Sequence, residues 1–224
     1  MADPTPYETA IHESGHAIVG ILCGNTLTDV TIVADDGYLG LTRSWPEPPP
    51  EIVEHYLGTG DYESPTTMSD DWETITLADG REFPFTMGES EWTVEQEVLD
   101  AATLQSIQDY GARVQMFPTL GGPMAEQQVT GKWNAVGANN DMLSIGEWVE
   151  EYFGRHDDTF RPYDDDGVIQ YDKVTEAARE RWADDVNELL DRGWEWIEAT
   201  AQALLEHNTL TGDEVEALRP ADLT

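Results

Sequence analysis

The sequence predicts a mainly α-helical fold with a small β-sheet, of the α+β class. Apolar residues recur at helical spacing in several stretches, most clearly over 174–205. Strand-like segments are short and lie beside turn residues. With 224 residues, of which 39% are hydrophobic, the chain is long enough to bury a full core. We therefore expect a single domain over 1–224.

The first elements are a helix and a strand pair. Residues 7–23 carry apolar side chains at helical spacing, and Gly24-Asn25 is typical of a helix stop. Asp29–Val33 and Tyr38–Thr42 then flank the turn residues Asp35-Asp36-Gly37, which predicts a β-hairpin. Residues 50–92 are rich in acidic and turn residues. They predict an acidic insertion with one hairpin, formed by Trp72–Leu77 and Arg81–Phe85.

The second half of the chain is predicted to be helical. We expect Gly121-Gly122 to break or punctuate one helix, Asp141 to precede another, and Gly193 to bend or divide the long amphipathic one. The predicted helices cover Thr93 to about Met116, Met124–Val129 before Gly131, Asp141 to about Phe153, about Val174 to Leu205, and a short one near Leu218, capped by Thr211 and Glu214.

Composition excludes several classes of protein. Eleven Lys and Arg against 46 Asp and Glu give a net charge of −35, which disfavours nucleic acids and anionic membrane surfaces as partners. The single Cys23 cannot form an intramolecular disulfide. The longest apolar run, near 17–23, is shorter than the roughly 20 residues of a membrane span. Because the first basic residue is Arg43, we expect no signal peptide and a soluble, cytoplasmic protein.

The excess of acidic residues also predicts adaptation to a cytoplasm of high salt. Nine of the eleven basic residues are Arg, and Lys132 and Lys173 are the two lysines. Molar salt shortens the Debye length to about 3 Å and so screens the repulsion among the carboxylates.

The segment His12-Glu13-Ser14-Gly15-His16 matches the pattern H-E-x-x-H. Residues four apart on a helix lie one turn apart on the same face, so both imidazoles can reach one metal ion. Zinc accepts histidine nitrogens and usually takes three protein ligands at catalytic sites. Glu13 would take a proton from a water whose pKa the metal lowers. Two histidines on a helix also occur without a metal, but the helical setting and the small Gly15 favour a zinc site.

The third ligand is not fixed by this motif. A metzincin would need Gly at position 19 and His at position 22, where Val19 and Leu22 stand, so that class is excluded. A Glu from a second helix is one alternative. An Asp at a helix N-terminus, presented by Val136–Asp141, is another. Among 46 acidic residues, position alone does not choose.

Several segments, in chain order, resemble one family. They are similar to parts of the FtsH-type peptidase domain, which is the protease part of membrane-bound AAA metalloproteases. The similar segments are the helix Thr9–Ala17, the strand pair Val30–Ile32 and Leu39–Thr42, the run Leu120–Glu126, the segment Gly137–Asp141 and the ending Leu204–Glu214. The resemblance implies that His12, His16 and Asp141 bind Zn²⁺, that Glu13 is the general base, and that the substrate is a polypeptide. Edge pairing of an extended substrate with Leu39–Thr42 is a related expectation.

The chain also departs from that family. It contains no Walker A match, and residues 50–92 have no counterpart in the family. We therefore expect a stand-alone zinc metalloendopeptidase that needs no ATP itself and acts on unfolded or flexible polypeptides. A homo-oligomer or a separate ATPase partner stays open, because FtsH-type domains form hexameric rings. The alternative is a non-catalytic protein-binding or accessory module. We expect no catalytic role for His55, His156, His207, Cys23 or the acidic run Asp164–Gly167.

Overall fold

The computed structural model describes residues 4–34, 38–46, 67–68, 74–76, 82–84, 109–146, 163–164 and 168–223. The chain divides into two compact units, one formed by residues 1–47 and 108–224 and the other by residues 48–107. The second unit contains the span 50–92 that we interpret as an insertion. The described part of the chain is mainly helical with small antiparallel sheets, which is the predicted fold class.

In the unit of residues 48–107, the described residues form a three-stranded antiparallel sheet. Its strands are β3 (Thr67–Met68), β4 (Thr74–Thr76) and β5 (Glu82–Pro84), in the order β3-β4-β5. Strands β4 and β5 lie inside the two segments of the predicted hairpin and pair antiparallel, which confirms their pairing. Strand β3 was not predicted.

The larger unit begins with α1 (Pro6–Leu22), which carries the two motif histidines. A capping box starts this helix, because the Thr5 hydroxyl accepts from the Glu8 backbone N–H and the Glu8 carboxylate accepts from the Thr5 backbone N–H. Cys23 ends the helix and Gly24 follows with a left-handed φ of 97°. The predicted helix and its stop are confirmed.

Three strands form the sheet of this unit: β1 (Asn25–Thr31), β2 (Leu41–Pro46) and β6 (Thr209–Thr211), in the order β2-β1-β6 and antiparallel throughout. The predicted strand pair exists, but β1 begins four residues earlier than predicted and β2 three residues later. A register shift between Leu27 and Asp29 interrupts the alternation within β1, because Leu27 and Val30 are both buried although strict alternation would place them on opposite faces. The predicted turn at 35–37 lies outside the described residues.

The prediction that Gly121-Gly122 breaks a helix is wrong. Helical backbone runs from residue 109 to Thr130, through a π-helical segment (Ala112–Met116) into α2 (Phe117–Thr130). The two glycines are inside α2 because the helix packs very closely on α1: a Cβ on Gly121 would lie 2.8 Å from the Gly15 carbonyl oxygen. Tertiary packing therefore explains residues that look like helix breakers. The start of the helix predicted from Thr93 lies outside the described residues, up to 108.

Helix α3 (Ala135–Ser144) corrects another boundary. Asn134 caps its N-terminus by accepting from the Gly137 N–H, so Asp141 lies well inside the helix rather than before it or at its N-terminus. The expected continuation from residue 147 to Phe153 lies outside the described residues.

The last helices are α4 (Tyr171–His207) and α5 (Gly212–Glu216). Gly193 does not divide α4. A Cβ there would lie 2.9 Å from Ile18 of α1, so this glycine allows the two helices to approach. The predicted capping box of Thr211 and Glu214 is confirmed. No helix among the described residues is long and apolar enough to cross a membrane.

Candidate metal centre

Two histidines of α1 and one aspartate of α3 converge on one point in the larger unit. The Nε2 atom of His12 lies 3.0 Å from Nε2 of His16 and 3.2 Å from Oδ2 of Asp141, and His16 Nε2 lies 3.6 Å from Asp141 Oδ1. The three side chains are mostly buried. Within the described residues, this trio is the group of His, Cys, Asp and Glu side chains near enough to share a metal ion.

The other ring nitrogen of each histidine is held by an acceptor. His12 Nδ1 donates to Oε2 of Glu126 at 2.9 Å, and His16 Nδ1 donates to the carbonyl oxygen of Pro118 at 2.8 Å. Because a carbonyl or carboxylate oxygen only accepts, Nδ1 carries the proton in each ring. In the neutral histidines, Nε2 then has the free lone pair that a metal requires.

Glu126 connects both sides of the centre. Its Oε1 atom accepts from the side-chain amide of Asn134 at 3.3 Å. Asn134 in turn caps α3, the helix that carries Asp141. One carboxylate of α2 therefore orients His12 directly and is linked to the start of the helix that presents the aspartate. Such outer partners fix the orientation of metal ligands and raise their basicity.

The residues of α2 that contact the histidines form one row. Pro118, Gly122 and Glu126 are spaced by four, as are His12 and His16, so each set lies on one face of its helix. Gly122 packs directly on the His16 ring, where any Cβ would overlap the imidazole. We name Pro118, Gly122 and Glu126 the histidine-facing row.

Glu13, the neighbour of the first histidine, is buried with 6% exposure. Its Oε2 atom accepts from the hydroxyl of Thr42 on β2 at 2.8 Å, and the same hydroxyl lies 3.0 Å from the Glu13 backbone carbonyl. Gly40 lies against the carboxyl group, because a Cβ at that position would be 2.6 Å from Oε1. The start of β2 and the residue before it therefore hold the Glu13 carboxyl group beside the trio.

The charges of the trio are coupled. Burial disfavours a charged His12, but its hydrogen bonds to Asp141 and Glu126 outweigh burial and raise the pKa of His12 to about 10. Burial also opposes charge on His16, yet the Asp141 carboxylate raises the pKa of this histidine, while the charge of His12 acts against it. Burial would raise the pKa of Asp141, but both histidines together hold it below its usual range. Burial raises the pKa of Glu13.

The donor atoms of the trio fit a zinc ion. Tetrahedral zinc with bonds of about 2.0–2.1 Å places its ligand atoms about 3.3 Å apart. The two Nε2 atoms lie 3.0 Å apart and His12 Nε2 lies 3.2 Å from Asp141 Oδ2, so both of these separations are close to this value, while His16 Nε2 approaches the other Asp141 oxygen at 3.6 Å. Two imidazole nitrogens and one carboxylate oxygen are also ligands that zinc prefers, and three protein ligands are typical of its catalytic sites. Asp141 is thus the acidic residue that the structure brings to the two histidines.

Two cavities adjoin the trio. One, of about 400 Å³, includes His16 in its lining, and the other, of about 160 Å³, includes His12. Both are lined by Glu13, Tyr38, Gly40, Asn140 and Asp141. The trio and Glu13 therefore lie where the two cavities meet. An extended ligand that occupies both would cross the centre.

Other predicted residues lie away from this centre. Cys23 is half-buried, and burial raises the pKa of its thiol to about 11, which disfavours a nucleophilic role. His207 is exposed at the end of α4, and Asp164 accepts from the Val168 N–H in a local turn. His55 and His156 lie outside the described residues.

Comparison with known proteins adds no identification. No protein-family profile matches the chain, and no curated protein matches it. The resemblance to the FtsH-type peptidase domain stays a prediction that rests on the segments quoted above.

The sequence predicted no role for Glu126 and no side-chain role for Thr42. A signal for Glu126 was present, because it lies four residues after Gly122 in the run Leu120–Glu126 and so on the same helical face. Thr42 carries no such signal, since its contact with Glu13 depends on how β2 passes α1.

Proposed function

We propose that the chain is a zinc-dependent metalloendopeptidase that hydrolyses peptide bonds in flexible polypeptides. The observation that carries the proposal is the convergence of His12, His16 and Asp141 with the buried Glu13 carboxyl group beside them. Bound zinc supplies a Lewis acid that polarises a carbonyl group and lowers the pKa of a water.

Residues of the chain transfer the proton and orient the groups around the metal. Glu13 is placed to accept a proton from the attacking water and to pass it to the leaving amine. Thr42 keeps the Glu13 carboxyl group at the centre through its hydroxyl. Glu126 and the Pro118 carbonyl hold the two imidazoles in the tautomer that presents Nε2. Burial removes competing water from all of these groups and so strengthens their electrostatic interactions.

The shape of the site supports a polypeptide substrate. One cavity is lined by His16 and the other by His12, and both by Asp141, so residues before and after a cleaved bond would have separate places if each occupied one cavity. Leu41, Thr42 and Ser44 of β2 line the larger cavity. Among the described strands of the β2-β1-β6 sheet, β2 is an outer strand, and its outer edge could pair with an extended chain. Only a flexible segment can adopt such an extended path, which is why we propose unfolded regions as substrates.

The test compares the wild type with Glu13→Gln in zinc content and in cleavage of an unfolded protein. We expect both proteins to bind one zinc ion per chain and the variant to lose at least about a hundredfold in rate, the usual contribution of a general base. Glu188→Gln, on the exposed side of α4, is the matched control and should cleave like the wild type.

The assay is run in dilute buffer and in molar KCl, since the acidic chain is expected to be stabilised by salt. Zinc without Glu13-dependent cleavage in both conditions would favour a non-catalytic protein-binding module. A chain that binds no zinc would contradict the peptidase proposal.

A further inference from the structure

The larger cavity beside the centre contains a buried polar group that the proposed mechanism does not use. This cavity of about 400 Å³ lies within the usual range for ligand pockets and reaches from the trio to the start of β1. Asn25, the first residue of β1, is part of its lining and is only 7% exposed.

The orientation of the Asn25 amide is fixed by one hydrogen bond. Its Nδ2 atom donates to the backbone carbonyl of Val114 at 2.9 Å. In a regular α-helix that carbonyl would accept from the residue four positions later, which here is Pro118 and has no N–H. Since the nitrogen of the amide must face this carbonyl, the oxygen is the atom left over.

That oxygen has no partner. Among the described residues, Oδ1 of Asn25 accepts no hydrogen bond, although it is buried. A buried acceptor without a donor is unfavourable by about 1–3 kcal/mol. Because the oxygen is fully buried, the Asn25 amide must turn toward the cavity before a ligand N–H group can reach it. That contact would remove this penalty, whereas an apolar ligand would retain it.

The charges of the lining narrow the choice of ligand. Among the described residues, the lining includes no Lys or Arg, and its two acidic residues are Glu13 and Asp141, both at the metal centre. A carboxylate would therefore find no cation in the cavity apart from the metal. Thr42, Ser44 and Gln115 add neutral polar groups along the wall.

We propose that this cavity is a specificity pocket for a substrate side chain that ends in N–H donors, such as Gln, Lys or Arg, with the Asn25 oxygen as its acceptor. The inference rests on the proposed peptidase function and defines its substrate class. An acidic side chain is excluded by the same lining. Amide and cationic side chains share the donor chemistry, and the experiment distinguishes them.

The experiment uses zinc-loaded protein and peptides that vary one position at a time near the cleaved bond among Gln, Lys, Met and Glu. We expect one position at which Gln or Lys is cleaved with a kcat/KM about tenfold above that of Met, which has a similar length but no N–H donor. Glu at that position should be cleaved more slowly than Met.

Asn25→Leu should reduce this ratio to about one. The ratio is measured with one enzyme preparation, so it does not depend on the fraction of the variant that folds. Asn187→Leu, at an exposed position of α4, is the matched control and should keep the wild-type ratio.

The experiment distinguishes a wrong pocket assignment from a wrong peptidase proposal. If the wild type cleaves peptides with no preference for donor side chains, or if Asn25→Leu leaves the ratio unchanged, the pocket assignment is overturned and the peptidase proposal stands. If nothing is cleaved, equilibrium binding of the same peptides to zinc-loaded Glu13→Gln decides. Tighter binding of the Gln or Lys peptide would support the pocket, and equal or absent binding would overturn it.

Discussion

Replacement of Glu126 by Gln should weaken zinc binding without removing any proposed ligand. The Glu126 carboxylate accepts from His12 Nδ1 at 2.9 Å, and only 8% of the residue is exposed, so solvent does not replace this contact. A Gln side chain of the same shape still offers a carbonyl oxygen to His12 but not a charge. Hydrogen bonds to charged groups contribute about 1.5–3 kcal/mol and neutral ones about 0.5–1.5 kcal/mol. The difference corresponds to a loss of roughly tenfold in affinity.

Glu126→Leu removes the acceptor altogether, and we expect its loss to approach the upper end of the range of about 10- to 100-fold known for outer-shell variants of metal sites. Zinc affinity is measured by competition with a chromophoric chelator. Glu188→Gln serves as the control for removal of one negative charge from a chain of net charge −35. Zinc affinities of both Glu126 variants within twofold of the wild type would refute the reasoning that this carboxylate orients His12.

Three further predictions concern the general base, the protons of the centre and the net charge. Thr42→Val should lower kcat by about tenfold, with KM and zinc content unchanged, because Glu13 loses a hydrogen bond. Thr42→Ser, which keeps the hydroxyl, should restore kcat. A Thr42→Val enzyme with wild-type kcat would contradict the role of the hydroxyl. Because the pKa of His12 is raised to about 10 in the metal-free protein, its ring is protonated at pH 7 and must lose a proton to bind zinc. Calorimetry in two buffers of different ionisation enthalpy should show that at least one proton is released for each zinc ion bound. The zinc affinity should rise with pH toward 10. Zinc binding without proton release would be inconsistent with this pKa. The melting temperature should rise from dilute buffer to molar KCl, as screening reduces repulsion within a chain of net charge −35; a melting temperature independent of KCl would exclude adaptation to salt.

Local signals in the sequence were sufficient to predict the longest helices. The two helices α1 and α4 combine apolar periodicity with recognisable ends, so their existence and approximate bounds could be predicted. The capping box at Thr211 is a similar signal of short range. The spacing of His12 and His16 placed both rings on one face of α1 before any tertiary contact was known.

Features that depend on tertiary contacts could not be predicted in this way. Gly121 and Gly122 look like helix breakers by local propensity, and only the close approach of α1 explains them. The three residues of β6 are too short to show alternation, and they form a strand because β1 provides a partner. The identity of the third proposed ligand could be taken from the family resemblance but not from the residues themselves, because Asp141 is one acid among 46.

The histidine-facing row makes the centre sensitive to the length of α2 as well as to its composition. Each residue of an α-helix is rotated by about 100° from the one before it. Insertion or deletion of a single residue between positions 118 and 126 would therefore turn part of the row away from α1. The carbonyl that holds one imidazole and the carboxylate that holds the other could then no longer act together. We expect natural variants of this protein to tolerate length changes in the loop at 131–133, before the capping Asn134, far better than inside this stretch of helix.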